Sequence, residues 1–141
     1  MGLMINFDDI IRNLPALFAA LLVGILFIQS GLDKVFDWKG NLEWLTGHFS
    51  KTFLSRFVPV MFATITVLEV ATGLIAAVGI VYFLVTGSRA VMFAAGVLGA
   101  AAITALFFGQ RIAKEYAGAA ILIPYFILLL ILIFLTNPFS R

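Results

Sequence analysis

Four long segments that are almost free of charged residues constrain the fold of this chain more than any other feature. A bilayer core is about 30 Å thick, so an α-helix needs roughly 20 apolar residues to cross it. Hydrophobic residues make up 63% of the chain and charged residues 11%, and the apolar residues form unbroken runs instead of amphipathic stripes. The sequence therefore predicts an all-α integral membrane protein, a bundle of four transmembrane helices.

The spans are predicted within a single membrane domain, and the residue ranges are about 14–32, 57–85, 90–108 and 117–136 of 1–141. Asn13 is a candidate N-cap for the first span, and Pro15 suits its first turn. The third span has small residues spaced four apart, which allow another helix to approach closely. We therefore expect the third span to lie centrally in the bundle.

Between the first two spans, aromatic and leucine residues recur at steps of three or four among charged neighbours. They are Trp38, Leu42, Leu45, Phe49 and Phe53. This period predicts an amphipathic helix over about 38–55 that lies in the membrane interface, a depth that also suits Trp side chains. A re-entrant segment is the alternative.

The composition excludes several classes of function. The chain has no cysteine, so disulfides, iron–sulfur clusters and thiolate metal sites are excluded. Its single histidine, His48, cannot form a paired-histidine haem site, and we predict no metal site and no covalently bound cofactor. A net charge of +2 gives no indication of nucleic-acid binding. For His48 we favour a solvated side chain over a role in proton transfer.

Glu69 is the one ionisable residue inside the second span. It follows Phe57 by about 18 Å of helix, which predicts a position close to the bilayer midplane. An ionised carboxylate there costs roughly 3 kcal/mol unless it has a partner, so Glu69 is a candidate proton carrier. The alternative is a buried contact that holds two helices together.

A second group of polar residues closes the first span. Gln29 and Asp33 are four residues apart, as are Ser30 and Lys34, so they form two neighbouring faces of a helix. With Arg111 from the same side of the membrane, Gln29, Asp33 and Lys34 are candidates for a polar, quinone-facing pocket. Surface ion pairing and snorkelling of the basic side chains is the alternative.

Four spans place both termini on one side of the membrane. That side holds Arg12, Arg89 and Arg141, whereas the long connections hold the other six basic residues, which are Lys34, Lys39, Lys51, Arg56, Arg111 and Lys114. The positive-inside rule thus predicts that the connections are cytoplasmic and the termini outside.

Three short motifs resemble the DoxX family of small membrane proteins. They are Phe27 to Lys34 at the end of the first span, Glu69 followed by Gly73, and Gly109-Gln110-Arg111 before the fourth span. The similarity extends over about Pro15 to Leu135. It implies a four-helix protein of the bacterial inner membrane, and the family takes its name from a subunit of thiosulfate:quinone oxidoreductase.

The leading hypothesis is a subunit of a quinone-linked respiratory or oxidoreductase complex, with other membrane subunits as partners and quinone as the only expected cofactor. The chain would provide a polar intramembrane pocket but no redox centre of its own. The first alternative is a non-catalytic accessory or assembly subunit that packs against a larger complex. A small-molecule or lipid carrier ranks third. These alternatives leave open whether the chain itself catalyses a reaction.

Overall fold

A computed structural model describes residues 5–139, and within that range the chain is almost entirely helical. The α-helices are α1 (Phe7–Arg12), α2 (Leu14–Phe36), α3 (Trp38–His48), α4 (Val58–Thr86), α5 (Ala90–Ile112) and α6 (Tyr116–Thr136), and a 3-10 turn at Ser55–Phe57 precedes α4. Helices α2, α4, α5 and α6 are long and apolar enough to cross a membrane. The all-α, four-helix membrane bundle is therefore as predicted, and the chain is a multi-pass membrane protein.

The helices end later than predicted on the side where α2 and α5 finish. Helix α2 continues to Phe36 and α5 to Ile112, each four residues beyond the predicted limit of the span. Polar residues there were interpreted as the end of the helix. They continue it instead, because a helix keeps its own backbone hydrogen bonds where it leaves the hydrocarbon.

Neighbouring helices in the chain are neighbours in space, and α6 closes the bundle by packing against α2. The core holds large side chains that are almost fully buried, namely Phe27, Phe83, Met92, Leu129 and Leu132. Every spanning helix exposes large apolar side chains on its outer face. Such a surface requires a lipid environment, since soluble proteins rarely expose contiguous apolar patches of this extent.

Small residues allow the helix backbones to approach closely. A Cβ added at Gly31 would lie 2.5 Å from Val70, and one added at Gly73 would lie 2.4 Å from Ile28. In α5, Gly99 is enclosed by Thr72 and Leu129. Helix α5 accordingly packs against both α4 and α6, as its small residues predict.

The far end of the bundle, where α4 and α6 finish, is closed by a tight turn. Gly87 follows α4 with φ of 78° and donates its N–H to Phe83 O at 2.7 Å, so a residue without Cβ suits this position. Arg89 Nη1 donates to Leu135 O at 3.0 Å and so satisfies a free carbonyl at the end of α6. Arg141, which the orientation prediction also used, lies outside the described residues.

Asn13 occupies the N-cap position of α2, as predicted, and its carbonyl oxygen accepts the N–H of Leu17 at 2.9 Å. Its side chain makes no capping bond to α2, and its amide donates to Asp9 O instead. The preceding residues form α1, which the sequence analysis did not predict. Its cap is Asn6, whose side chain accepts from the Asp9 N–H while the Asp9 carboxylate accepts from the Asn6 N–H.

The connection between α2 and α4 is helical only over α3. None of the residues of α3 is buried, and its contact with the bundle includes the Trp38 ring, 4.3 Å from that of Phe62. After His48 the chain turns through residues 49–54, so the continuous helix predicted to residue 55 stops early. Helix α3 lies on the outside of the bundle, as an interfacial helix would.

The close contact between Gly73 and Ile28 predicts that a larger residue at this position destabilises the protein. We expect Gly73→Ala to lower the free energy of unfolding by about 1–3 kcal/mol, because the new methyl group meets the backbone of Ile28. Gly24→Ala is the matched control in the same helix pair, since its Cβ would have ordinary contacts of 3.7 Å. Gly24→Ala should be neutral or stabilising by up to about 1 kcal/mol through helix propensity. Reversible unfolding in mixed micelles measures both, and equal effects would contradict the close packing.

Candidate functional site

Glu69 is buried in the interface between α2 and α4, with 3% of its surface exposed. Thr66, Thr72 and Gly73 lie on the same side of α4 and are also buried, as their spacing predicted. The other buried residues of this helix are apolar or glycine. A carboxylate in such surroundings needs a partner, because desolvation strongly disfavours an isolated charge.

Its partners are two residues of α2. Ser30 Oγ donates to Glu69 Oε2 at 2.8 Å, and Lys34 Nζ donates to Ser30 Oγ at 3.0 Å. Lys34 Nζ also lies 2.8 Å from Glu69 Oε1, an ion-pair distance without hydrogen-bond alignment at that oxygen. Ser30, Lys34 and Glu69 thus form a closed group of three side chains, here called the ion-pair site.

The sequence of α2 explains how this site assembles. Ser30 and Lys34 are four residues apart, so both side chains face α4. Gly31 lies between them, and the absence of a side chain there lets the backbone of Val70 come within 3.2 Å of the position of a Cβ. This close approach brings the short serine side chain within reach of a carboxylate on the next helix.

The ion-pair site lies nearer one end of the bundle than the predicted midplane. Ser30 is six residues, or about 9 Å of helix, before the last residue of α2 at Phe36. It is sixteen residues, or about 24 Å, after the first residue at Leu14. The side chain of Lys34 is 22% exposed and that of Glu69 is 4% exposed, so Lys34 forms the open side of the site.

Only one of the four predicted quinone-facing residues belongs to the ion-pair site. Lys34 joins Glu69, whereas Gln29 and Asp33 are exposed on the neighbouring face of α2. Arg111 is exposed at the end of α5, where its guanidinium lies 4.5 Å from the centre of the Tyr116 ring. Gln29 and Asp33 therefore border the ion-pair site from outside, and Arg111 interacts elsewhere.

The interpretation of His48 as a solvated side chain is wrong. Its side chain is 23% exposed, its Nε2 lies 3.0 Å from Glu115 Oε2, and its ring stacks on Trp44 at 4.6 Å. The sequence analysis missed this pair because Glu115 is distant in the sequence. His48 also lines a surface cleft of about 740 Å³ beside the connection between α5 and α6.

Comparisons with family models, with curated proteins and with solved structures find no match to this chain. The resemblance to the DoxX family therefore rests on the motifs described above. Among residues 5–139, no three histidine or acidic side chains gather in a way that could hold a metal ion. The ion-pair site itself offers an ammonium, a hydroxyl and a carboxylate group.

Removal of either charge from the ion-pair site should have unequal effects on stability. Lys34→Met leaves Glu69 buried without a cation and should lower the free energy of unfolding by about 3 kcal/mol. Glu69→Gln should cost less, because Lys34 is partly exposed and its long side chain can reach the membrane surface. The double variant should recover part of the loss.

The matched control is Lys39→Met, which removes an exposed lysine from α3 and should change the free energy of unfolding by no more than about 0.5 kcal/mol. Equilibrium unfolding of the wild type and of these four variants in micelles gives the comparison. A Lys34→Met cost as small as that of the control would show that the buried carboxylate does not depend on Lys34.

Proposed function

We propose that this chain is a subunit of a quinone-linked oxidoreductase complex in the bacterial inner membrane, and that its ion-pair site transfers protons. The observation that supports the proposal is the ion pair itself: a buried carboxylate held against a lysine that is open on one side. Intramembrane ionisable groups of this kind are expensive and mark proton or substrate pathways more often than surface groups do.

The side chains around Lys34 suit a quinone carbonyl as a hydrogen-bond acceptor. Lys34 offers an ammonium group, and the exposed amide of Gln29 offers further N–H donors on the adjoining face of α2. The cleft beside His48 and a smaller apolar cleft between α5 and α6 are lined by neither Lys34 nor Glu69. We therefore propose that a quinone approaches the ion-pair site from the lipid side. Arg111 is left out of this proposal because it stacks on Tyr116.

A bound quinone would accept two electrons and two protons to become a quinol, and the electrons would come from a redox centre on a partner subunit. Lys34 would release a proton from Nζ towards the lipid-facing side and regain one from the nearby aqueous surface. Glu69 would hold the ammonium in place. Ser30, whose hydroxyl both donates and accepts, would keep the two groups connected throughout.

The orientation proposed from basic residues places the open side of Lys34 towards the cytoplasm. Lys34 belongs to the end of the bundle that carries the long connections. Protons for quinone reduction would then be taken from the cytoplasm. This orientation follows from the positive-inside rule and is independent of the geometry of the ion-pair site.

The proton-transfer role predicts a loss of turnover without a loss of the complex. In the complex purified from native membranes, Glu69→Gln should reduce quinone turnover about 100-fold, because the Lys34 ammonium would no longer be held in place and proton transfer by a positioned group is worth at least that factor. The matched control is Glu43→Gln on the exposed face of α3, which should keep the wild-type rate. The amount of assembled complex, measured on native gels, separates lost chemistry from lost assembly. Wild-type turnover by an assembled Glu69→Gln complex would contradict the proton-transfer role.

A second candidate function is that of an accessory subunit, and the outer face of α6 favours it. This helix is the least buried of the four spanning helices, since only 17% of the residues in its most apolar stretch are buried inside the bundle. It presents a continuous aliphatic surface that includes Ile127 and Ile131, 51% and 47% exposed. The small residues of α5 do not serve this purpose, because Gly99 packs against Leu129 inside the bundle. A bulky residue at Gly99 would disrupt the chain's own packing and so would not test contacts with a partner.

Tryptophan substitutions on the outer face of α6 test the accessory role. Ile127→Trp/Ile131→Trp should reduce the recovery of partner subunits at least several-fold, because two large rings would keep a packed helix away. Leu74→Trp/Val78→Trp on the exposed face of α4 is the matched control, with original side chains 55% and 58% exposed. Quantitative mass spectrometry after gentle extraction gives the recovery. Equal recovery in both variants would exclude α6 as the docking face.

A further inference from the structure

The surface cleft beside His48 lies where the membrane meets water. It is lined by residues of the α3–α4 connection and of the end of α5, among them Lys51, Phe53 and Lys114. Phe53 is 71% exposed and Trp44 62% exposed, as aromatic side chains at the headgroup level commonly are. The spanning segment that contains α4 begins at Ser55, two residues after Phe53. The cleft therefore adjoins the headgroup layer.

The cleft offers positive charge that the protein does not neutralise itself. Within residues 5–139, neither Lys51 nor Lys114 forms an ion pair with a carboxylate. Glu115 directly follows Lys114, and its carboxylate lies 3.0 Å from His48 Nε2 instead of pairing with either lysine. Two ammonium groups are thus available for an anion.

The backbone of the connection adds potential donors. The N–H groups of Ser50 and Thr52 donate to carbonyl oxygens, and the N–H of Leu54 donates to the Thr52 hydroxyl. The N–H groups of Lys51 and Phe53, which alternate with these, have no acceptor among the described residues. Free N–H groups next to lysines are a combination typical of phosphate binding.

Lys114 occupies a backbone conformation that favours glycine. Its φ is 61°, and the N–H of the next residue, Glu115, donates to Gln110 O at 2.8 Å, which closes the end of α5. Glycine is the usual residue at such a position because it has no Cβ. A lysine there strains the backbone, and such strained residues cluster at binding sites, so the Lys114 side chain is a candidate ligand group.

We infer that the cleft formed by His48, Lys51, Phe53 and Lys114 binds the phosphate of an anionic phospholipid headgroup. Its volume of about 740 Å³ lies within the range of about 300–1,000 Å³ that is common for small-molecule sites. A lipid fits better than a free phosphate because the exposed ring of Phe53 adjoins the acyl region while the lysines meet the phosphate. The site is separate from the ion-pair site and does not depend on the proposed function.

The test compares lipid binding by the purified full chain in mixed micelles that hold equal amounts of dioleoylphosphatidylglycerol and dioleoylphosphatidylcholine. Native mass spectrometry counts the lipids retained by each protein. Wild type should retain phosphatidylglycerol preferentially, and Lys51→Gln/Lys114→Gly should reduce that preference about tenfold or more. The control, Lys39→Gln/Arg56→Gln, removes the same charge from exposed residues outside the cleft and should keep the preference.

Thermal unfolding checks that the cleft variant is folded. Lys114→Gly relieves backbone strain, so the melting temperature should be maintained or raised. Equal losses of preference in the cleft variant and the control would overturn the proposal, because the attraction would then belong to the general surface charge. A wild-type chain without preference would overturn it as well. Titration with inorganic phosphate forms the last arm: phosphate binding that phosphatidylglycerol does not displace would assign the cleft to a free anion and overturn the lipid assignment.

Discussion

The burial of the Glu69 carboxylate is the constraint on which the packing of α2 against α4 depends. A carboxylate with 3% exposure needs a cation and a hydrogen-bond donor, and Lys34 and Ser30 supply them from a single face of α2. Because the serine side chain is short, the two backbones must lie close together. Gly31 and Gly73 permit this approach on either side of the ion pair. The ion pair therefore forms only when α2 and α4 pack closely against each other.

This arrangement also explains why a membrane helix tolerates the polar end of α2. In lipid, helices gain little from burying apolar side chains, since the lipid tails are equally apolar, and they associate through close packing and polar contacts. Helices α4, α5 and α6 rely mainly on small residues, as at Gly99, which is enclosed by Leu129 and Thr72. The α2–α4 pair combines this close packing with the ion pair between Lys34 and Glu69. An accessory role would require only the packing, whereas a proton-transfer role requires the partly exposed Lys34.

Much of the fold could be predicted from the sequence, because the number and approximate limits of the spans follow from the length of uncharged runs. The candidate residues Glu69 and Lys34 were also found, because charged side chains are conspicuous in or near such runs. Their pairing was not predicted. The register between two helices depends on where backbones can approach, and no periodic pattern within one helix encodes it. Ser30, four residues before Lys34 and next to Gly31, was the available signal.

The remaining differences concern details that one stretch of sequence does not determine. Asn13 is the N-cap of α2, but its side chain bonds back to α1, whose own capping box is formed by Asn6 and Asp9. His48 has no acidic neighbour in sequence, and Glu115 reaches it only through the fold. The level of Glu69 was predicted from the start of α4 alone. Its partners lie near the end of α2, so the ion-pair site lies nearer that end of the bundle.

Most of the buried polar side chains that the structure describes lie near the level of Glu69, and Thr136 at the far end is the exception. Beyond Glu69, the buried polar residue next along α4 is Thr72, whose hydroxyl donates to Leu68 O. Towards the far end, the core then consists of apolar side chains such as Ala76, Phe83 and Met92. Within the described residues, no chain of polar groups leads from the ion-pair site across the bundle. The proton transfer that we propose at Lys34 would therefore begin and end on the same side of the membrane or towards the lipid. That geometry suits exchange with a lipid-dissolved molecule better than transport across the membrane by this chain alone.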